Sequence, residues 1–478
     1  MENKKKKLEI SIVSTKTKKK QMATLVLLQK DLREFDNPAL YNASRRQKPI
    51  IIVHVMEKRL GSASKWWLCE SLRLFRQQLN ESAITLLHLS DSANIQTIFE
   101  YLNDRIEIET IYSNGLDFEL PDDMANIHES FMANLIFEPQ DMTKEFKIFT
   151  PFWKFIRANC SPVKPLSNPE WNRKNHHVDI EFDEYNELPM MTGDTNWWNK
   201  MTPYWKIGEK AAQQRFKLFV KTKLSDYDYK RDFFCEDGTS KLSPHLRFGE
   251  ISVRQMYDQL NIKKSNERYC TELGWREFAY HVYRNHPDLT KIPLNPNYRN
   301  FWPEFNDDHL KAWKTGNTGY PVIDAAMRNL WATGWMHNRL RMLVASFLVK
   351  NLLIPWQHGE EWFYDCLVDA DPAVNPFSWQ WVAGCGTDSV PYFRIFNPML
   401  QGEKFDPQGI YIREWLPELV DFPTKRNIHQ DMFKQPNLRP NNYPAPIIDF
   451  KSSRERTLST FKAIVASKVI NLKKPRLA

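Results

Sequence analysis

The chain has 478 residues, which is enough for two or three domains and a large buried core. Hydrophobic residues make up 42% of it and charged residues 26%, a balance that excludes a wholly disordered chain. The formal net charge of +8 permits a polyanionic partner without requiring one, and no apolar stretch reaches the ~18 residues of a transmembrane helix.

The first 21 residues are rich in lysine and lack the apolar segment that a secretory signal needs. They predict a disordered, solvated arm over residues 1–21, with weak nonspecific attraction to DNA as the alternative role. The six cysteines are scattered along the chain without a C-x-x-C pair. This pattern argues against a zinc site or a disulfide framework, so we expect no metal and a cytoplasmic location.

Short apolar runs rich in β-branched residues alternate with helical patterns from residue 22 to residue 145. They predict buried strands at 24–28, 50–55, 84–89 and 108–112 and helices at 66–79 and 92–102. Strands that alternate with helices indicate a doubly wound α/β domain with a parallel sheet. The usual phosphate-binding loops, G-x-G-x-x-G after the first strand and G-x-x-x-x-G-K-[ST], are absent from the sequence.

Residues 146–210 are rich in proline, asparagine and charge, and they predict a long connecting segment with short helices. From 211 to 478 the pattern is helical, which predicts an all-helical C-terminal domain. Its helices are expected at 211–223, 252–260, 270–285, 320–333, 338–353 and 360–367. Asp371-Pro372 and Asn375-Pro376 each combine a capping side chain with a proline suited to the first helical position.

Two segments of the helical domain carry residue types that suit a nucleotide. Residues 238–244 read Gly-Thr-Ser-Lys-Leu-Ser-Pro, and a glycine followed by hydroxyls at a helix start can hold a diphosphate. Glu272 and Trp275 lie three residues apart, so one helix face combines a carboxylate with a flat ring, which suits a flat base through hydrogen bonding and stacking. A capped turn and an ion-paired helix with a core tryptophan are the respective alternatives.

Two further segments place polar side chains at helical spacing. Asn338, Arg341 and Met342 share one face of a predicted helix. Asp371, Asn375 and Trp379 form a stripe at four-residue spacing, unless the helix starts only at Pro376. For both segments an ordinary packed helix is the alternative interpretation.

Taken in order along the chain, these segments carry a family resemblance. The sequence contains Gly-Thr-Ser-Lys-Leu-Ser-Pro (238–244), Trp-Arg-Glu-Phe (275–278), Thr-Gly-Tyr-Pro-Val-Ile-Asp-Ala-Ala-Met-Arg (318–328), Trp-Met-His-Asn-Arg-Leu-Arg-Met (335–342) and Tyr-Phe-Arg-Ile-Phe-Asn-Pro (392–398). It resembles the photolyase/cryptochrome flavoprotein family, and within it the DNA photolyases that act on cyclobutane pyrimidine dimers. The likeness is near-continuous over 226–419 and looser in the N-terminal domain, where 30–33 and 36–40 match.

The resemblance implies a U-shaped FAD inside the helical domain, active in its reduced anionic form. It assigns contacts with the cofactor, mostly at the diphosphate, to Tyr227, Thr239, Ser240, Lys241, Leu242 and Ser243. Asn338 and Arg341 would lie beside the flavin, and Asp369 and Asp371 would contact the flavin and adenosine side, with an ion pair between Arg341 and Asp369. Asn375 would face flavin N5. Plant cryptochromes carry a carboxylate at that position, so the amide favours a repair enzyme.

The resemblance also implies a cavity for a flipped pyrimidine dimer, lined by Glu272, Trp275, Asn338, Met342 and Trp381. The two tryptophans would sandwich the dimer, and Glu272 would hydrogen-bond its edge and stabilise the radical anion. Enzymes of the family that repair the (6-4) photoproduct carry a histidine in the segment where this chain has Met342, so cyclobutane dimers are expected. Phosphate contacts would come from Arg231, Arg339 and Arg394, with surface solvation as the alternative.

Members of the family carry an electron to the flavin through a chain of tryptophans. Trp379 and Trp356 match its inner and middle members, and Trp302 is the expected outer member. The spacing from Trp302 to Trp313 is one residue longer than in the family pattern, which leaves the outer member open. The antenna chromophore is also open between methenyltetrahydrofolate, a deazaflavin and none, although Trp66-Trp67 resembles relatives with a differently placed folate.

The sequence therefore predicts a light-driven lyase, in which photoexcited reduced FAD gives an electron to a flipped-out dimer in UV-damaged DNA. We expect a monomer with no membrane segment, associated with the nucleoid if the source is bacterial. The alternatives are a cryptochrome-type photoreceptor, a (6-4) photolyase and a DNA-binding flavoprotein that has lost repair. A photoreceptor would need an output surface, usually a C-terminal extension, and we expect none here, because the predicted helical domain 211–478 extends to Ala478.

Overall fold

The computed structural model describes residues 20–137, 142, 144–182, 184–191, 196–260, 266–299, 301–392 and 394–472. The predicted arm over 1–21 lies outside the described residues except for its last two. No helix within these ranges is long and apolar enough to cross a membrane. Within the same ranges, no group of three or more His, Cys, Asp or Glu side chains is placed to hold a metal ion.

The N-terminal part of the chain forms a five-stranded parallel sheet. Its strands are β1 (Met22–Leu28), β2 (Ile50–Val55), β3 (Thr85–Leu89), β4 (Glu107–Ser113) and β5 (His128–Ser130). Their order across the sheet is β3-β2-β1-β4-β5, so strands are added first on one side of β1 and then on the other, which places the switch point of a doubly wound fold between β1 and β4. The four predicted strands are confirmed within two residues. The fifth was not predicted, because it has only three residues and none of them is buried.

Four helices accompany the sheet. They are α1 (Pro38–Arg45), α2 (Ser62–Glu81), α3 (Ile95–Asn103) and α4 (Asp122–Ala125). Helix α1 begins where Asn37 caps the Leu40 N–H and Pro38 takes the first helical position. Helix α2 extends the predicted helix 66–79 at both ends. The predicted helix 92–102 divides into a 3₁₀ turn, Ser92–Asn94, and α3.

The segment between the two predicted domains contains two α-helices, α5 (Phe149–Asn159) and α6 (Arg173–His176). Helix α5 packs within the helical part of the chain, since a Cβ at Gly274 would lie 2.7 Å from Cε3 of Trp153. Two short 3₁₀ turns follow, Trp197–Lys200 and Thr202–Tyr204. The expected short helices are therefore present, while the boundaries at 146 and 210 stay a prediction.

The rest of the described chain is helical, as predicted. Its α-helices are α7 (Glu209–Thr222), α8 (Tyr227–Lys230), α9 (Ser243–Arg247), α10 (Val253–Leu260), α11 (Glu267–Asn285), α12 (Asp307–Thr315), α13 (Pro321–Thr333), α14 (Asn338–Ser346), α15 (Trp356–Cys366), α16 (Val374–Ala383), α17 (Pro398–Phe405), α18 (Ile410–Trp415), α19 (Asp431–Lys434) and α20 (Phe450–Leu472). Helices α11 and α14 both pack against α16, and α15 packs against α16 and α2. These contacts bring the sequence motifs together.

Several expected boundaries differ in the structure, and α15 begins four residues before the predicted helix 360–367. The predicted helix 338–353 ends as α14 at Ser346 and continues as one π-helical turn, Phe347–Asn351. Two side chains of α20 donate hydrogen bonds to carbonyls of that turn: Thr457 to Lys350, and Arg456 to Asn351 at 2.7 Å. The prediction that Asn375 caps a helix is wrong, because α16 begins one residue earlier and the Asp371 carboxylate caps it instead.

The sheet and the helical part meet at glycines where no side chain fits. A Cβ at Gly61 would lie 1.9 Å from the carbonyl oxygen of Tyr364, and a Cβ at Gly249 would lie 2.0 Å from that of Lys30. Gly249 also has a φ of +66°, in the left-handed region that favours glycine. The backbones of the two parts therefore approach each other directly.

We expect Gly249→Ala to lower the free energy of unfolding by about 2 kcal/mol more than Gly208→Ala, because only the former forces two backbones apart. Gly208 is a matched control, since its φ is +95° but its Cβ would lie 3.4 Å from a Leu74 methyl carbon. Urea unfolding of the two variants measures the difference. Equal losses would show that left-handed backbone strain, and not the close approach to Lys30, determines the requirement for glycine.

Candidate functional site

The Gly238–Ser243 loop lies where two other motifs meet. Gly238 packs against the Lys230 backbone, and α9 begins at Ser243. The Ser240 hydroxyl accepts a hydrogen bond from Tyr269 at 3.0 Å, and the Tyr269 ring lies against that of Tyr227, with centroids 5.0 Å apart. The structure thus brings Tyr227 and Ser240 together.

The remaining residues of this loop face different surroundings. Thr239 is half-buried, Leu242 is buried in the core, and the Lys241 ammonium lies 3.3 Å from Asp237 Oδ1. Ser243 is exposed, and its hydroxyl accepts from the Trp335 indole N–H at 3.2 Å. That bond connects the loop to the segment carrying α14. Hydroxyls rather than charges dominate the loop, which suits a diphosphate held by hydrogen bonds.

The segment before α16 carries two buried aspartates in different situations. Asp369 Oδ2 accepts from Arg341 at 2.7 Å, so the expected ion pair is present, while Asp369 Oδ1 is buried and has no partner among the described residues. Asp371 has both oxygens occupied. Oδ1 accepts from the Ala373 and Val374 N–H groups, and Oδ2 accepts from Tyr280 O–H at 2.7 Å.

Because their hydrogen-bond partners differ, the two aspartates are suited to different roles. Burial alone would raise the pKa of Asp371, but the charges of Arg247 and Arg276 and its hydrogen bonds hold that pKa below its usual range. The Asp371 carboxylate therefore caps the N-terminus of α16. Asp369 presents a buried carboxylate oxygen without a donor, and such a group needs a hydrogen-bonding partner from outside the protein. The residues around Asp369 therefore fit a buried ligand that carries an N–H or O–H group.

Asn375 and Asn338 lie on different helices. Asn375 is buried in the first turn of α16, where its Nδ2 donates to the Glu360 carbonyl at 3.1 Å and to Glu360 Oε1 at 3.0 Å. Asn338 is exposed at the start of α14, and its Nδ2 lies 3.8 Å from the Met342 sulfur. The expected pairing of Asn338 and Met342 on one face is therefore present.

Glu272 and Trp275 lie on α11, and each is held by a neighbour. Glu272 forms an ion pair with Arg231, and Arg268 Nε lies 3.5 Å from its Oε1. The Trp275 ring stacks on Phe149 with centroids 3.9 Å apart and an interplanar angle of 10°. The sequence does not single out Phe149, because its segment is predicted only as a connection between the domains. The helical spacing of Phe149, Phe152 and Trp153 is the signal that could have indicated a packed helix there.

Trp381 and Met342 are half-buried against the largest core cluster, whereas Trp275 packs against a second one. No ring contact joins Trp275 to Trp381 in the described part of the chain. The expected sandwich around a dimer therefore stays a prediction.

The three arginines expected at phosphates differ in accessibility. Arg231 is only 11% exposed and pairs with Glu272, and Arg339 pairs with Asp232 and lies 4.6 Å over the Phe405 ring. Arg394 is exposed, 5.7 Å over the Phe396 ring. Of the three, Arg394 has the environment expected of a residue that meets solvent or phosphate.

The tryptophans of the expected electron path are spread through the helical core. Trp379 is buried, and a Cβ at Gly359 would lie 2.2 Å from its Cη2. Trp356 is fully buried, and Trp302 is half-buried beside Phe301, at 4.7 Å between centroids. The ring centroids of Trp313 and Trp379 lie 6.2 Å apart. Trp313 is therefore an aromatic neighbour of the expected inner tryptophan, a contact that the sequence does not predict.

The two tryptophans considered for a folate antenna are buried in the N-terminal core. Trp67 is fully buried, and its indole N–H donates to Glu250 at 3.1 Å. Trp66 is 4% exposed. Neither ring offers an open face comparable to that of an exposed tryptophan, and the antenna stays a prediction.

Side chains at the carboxyl end of β2 reach the site from the other part of the chain. Glu57 binds the Arg247 guanidinium through both oxygens, at 2.7 and 2.9 Å, and Arg59 binds Glu360 in the same manner, at 3.1 and 2.7 Å. Arg247 also donates to the carbonyl of Ala370, between the two aspartates. The sequence does not predict these contacts, because no local pattern indicates that Glu57 meets Arg247, 190 positions away, or that Arg59 meets Glu360, 301 positions away.

Comparison with known proteins gives consistent matches. A family model described as "DNA photolyase" matches residues 24–117, and one described as "FAD binding domain of DNA photolyase" matches residues 269–463. A deoxyribodipyrimidine photo-lyase of Agrobacterium fabrum is 36% identical over 93% of this chain and 98% of its own length. Cryptochrome-1 of Arabidopsis thaliana is 32% identical over 91% of this chain and 69% of its own length. The solved structure of a bacterial class III photolyase from Agrobacterium tumefaciens has a TM-score of 0.83 and 35% identity, covering 95% of this chain and 100% of that one.

We expect Asp369→Asn to weaken binding of FAD at least about tenfold, because it removes the charge that holds Arg341 and the buried acceptor that has no partner in the protein. Asp308→Asn is the matched control, since Asp308 lies exposed in the first turn of α12. Equilibrium binding of FAD to protein stripped of flavin measures the effect. Similar affinities for the two variants would contradict the role assigned to Asp369.

Proposed function

The chain belongs to the DNA photolyase family, and from that premise we propose that it repairs cyclobutane pyrimidine dimers in UV-damaged DNA by a light-driven reaction. The observation that carries the proposal is the pairing of Asn338 with Met342 on α14, next to the Arg341–Asp369 ion pair. The resemblance places a histidine in this segment in enzymes for the (6-4) photoproduct. A thioether in its place supports cyclobutane dimers as the substrate.

The chain contains a FAD-binding domain, and the residues around Asp369 fit that cofactor. We propose that Ser240 and the loop around it bind the diphosphate, and that Arg341 and Asp369 hold the flavin. When bound and reduced, FAD would supply, on absorbing blue or near-UV light, the electron that opens the dimer and would take it back, so the reaction would have no net redox change.

The protein side chains hold the substrate. Arg231 and Arg268 fix the position of the Glu272 carboxylate before DNA arrives, so it can accept a hydrogen bond from the imide N–H edge of the dimer with little reorganisation. Phe149 covers one face of the Trp275 ring, so a flipped base would stack on the opposite face. Extruding a damaged pair costs less than extruding an intact one, which adds selectivity.

A photoreceptor without repair activity is the second candidate, since a plant cryptochrome is among the relatives. The amide at Asn375 favours repair, because plant cryptochromes carry a carboxylate there. As a repair enzyme the protein would act on chromosomal DNA in the cytoplasm, as a monomer. These assignments of location and assembly are part of the proposal.

We expect purified, reduced protein to restore the base absorbance of UV-irradiated oligo(dT) under blue light and not in the dark. A (6-4) substrate should not be repaired. Absence of light-dependent recovery in protein that retains FAD would refute repair of cyclobutane dimers and leave the photoreceptor and a flavoprotein without repair activity as candidates.

In the same assay Glu272→Ala should slow repair about 100-fold, by loss of the contact that positions the imide edge of the dimer, while FAD content stays within about twofold. Equal losses of repair and of FAD would contradict the role assigned to Glu272.

We expect Arg394→Gln to reduce the slope of log affinity against log salt for DNA by about one, because one phosphate contact is lost. Lys174→Gln is the control, since Lys174 is exposed on α6 and removes the same charge outside the proposed site. Fluorescence anisotropy of labelled duplex DNA at several salt concentrations measures both slopes. Equal slopes for the two variants would exclude Arg394 from the DNA contact.

A further inference from the structure

The Asn375 side chain is oriented by acceptors that occupy only its nitrogen. Nδ2 donates to the Glu360 carbonyl at 3.1 Å and to Glu360 Oε1 at 3.0 Å, and the side chain is buried. Turning the amide over would place its oxygen against a carboxylate oxygen and a carbonyl oxygen, where no proton is available to form a bond. The amide nitrogen is therefore committed to Glu360, and Oδ1 is the group that Asn375 presents on its other side.

Glu360 acts as an acceptor because Arg59 binds it. The guanidinium donates to both carboxylate oxygens, at 3.1 and 2.7 Å, and the Glu360 side chain is only 3% exposed. A bidentate arginine pair holds a carboxylate in a fixed plane. Without that partner the Glu360 carboxylate could turn, and its Oε1 would no longer stand opposite Asn375 Nδ2.

Arg59 is itself held from α15. Its guanidinium lies 3.7 Å over the Tyr364 ring, and Tyr364 O–H donates to the Arg59 carbonyl at 2.9 Å. Glu360 and Tyr364 are four residues apart on α15, so both face the same way. The segment that follows β2 is therefore connected to α16 through contacts from Arg59 to Glu360 and from Glu360 to Asn375.

We infer that Arg59 and Glu360 are positioning residues that turn the Asn375 carbonyl oxygen toward N5 of bound FAD. The inference rests on the proposed function, in which Asn375 faces that atom. Oxidised flavin has a lone pair at N5 and reduced flavin has an N–H there. A fixed carbonyl acceptor repels the first and accepts a hydrogen bond from the second, so the arrangement favours the reduced cofactor that repair requires.

The test is the midpoint potential of FAD in purified holoprotein, measured by spectroelectrochemical titration at fixed pH without DNA. In Glu360→Gln the new amide can donate to Asn375 Oδ1 and let the Asn375 side chain turn over. We expect the equilibrium constant for one-electron reduction to fall about tenfold, which is about 59 mV. Arg59→Lys, which keeps a positive charge beside Glu360 but loses the two-point contact, should shift the potential in the same direction, and because Arg59 is 42% exposed this variant keeps the fold if Glu360→Gln does not.

Arg73→Ala is the matched control, since Arg73 is exposed and pairs with Glu70 within α2. Its potential should equal that of the unaltered protein. Unchanged potentials in both test variants would overturn the inference, and so would loss of FAD from both, since the chain of contacts would then retain the cofactor rather than orient an amide. Failure of the unaltered protein to repair DNA, with the shifts present, would refute the proposed function alone.

Discussion

The buried guanidinium of Arg247 joins the sheet to the segment that carries Asp369 and Asp371. It is bound by both oxygens of Glu57 at the end of β2, and it donates to the Ala370 carbonyl. Burial would lower the pKa of Arg247, but the charge of Glu57 and the hydrogen bonds between them hold it above its usual range. Removing one member of such a pair leaves the other charge buried, which costs about 3–5 kcal/mol. The geometry of the aspartate segment therefore depends on a residue of the α/β domain.

This dependence explains why the two aspartates behave differently. With Ala370 held by Arg247, Asp371 reaches the free N–H groups of α16 and the Tyr280 hydroxyl, and donors of the protein occupy both of its oxygens. Asp369, on the other side of Ala370, has one buried oxygen without a partner among the described residues. In the proposed function, Asp371 would therefore stabilise the start of the helix and Asp369 would bind the cofactor.

The elements that the sequence predicted are those whose signal is local. Strands β1, β2 and β3 are short, mostly apolar runs that are buried along nearly their whole length, and such runs report burial directly. Strand β5 has no buried residue to report. Helical spacing predicted that Asn338 and Met342 share a face, but it could not show that Phe149 covers Trp275 or that Arg59 reaches Glu360. Periodicity shows that a side chain is buried or paired and does not show which distant segment provides the partner.

The charges around Glu272 bear on how damage is distinguished from intact DNA. Arg231, Arg268 and Arg339 are interleaved with Asp228, Asp232 and Glu272, so three cations face three carboxylates at this rim. A balanced cluster attracts the phosphate backbone weakly, because each guanidinium already has an anionic partner. In the proposed function, affinity at this point would come from what enters the site, namely a base that stacks on Trp275 and meets Glu272. Unstacking an intact base costs more than unstacking a dimer. The ion pairs that hold Glu272 in place would then also reduce binding to undamaged DNA.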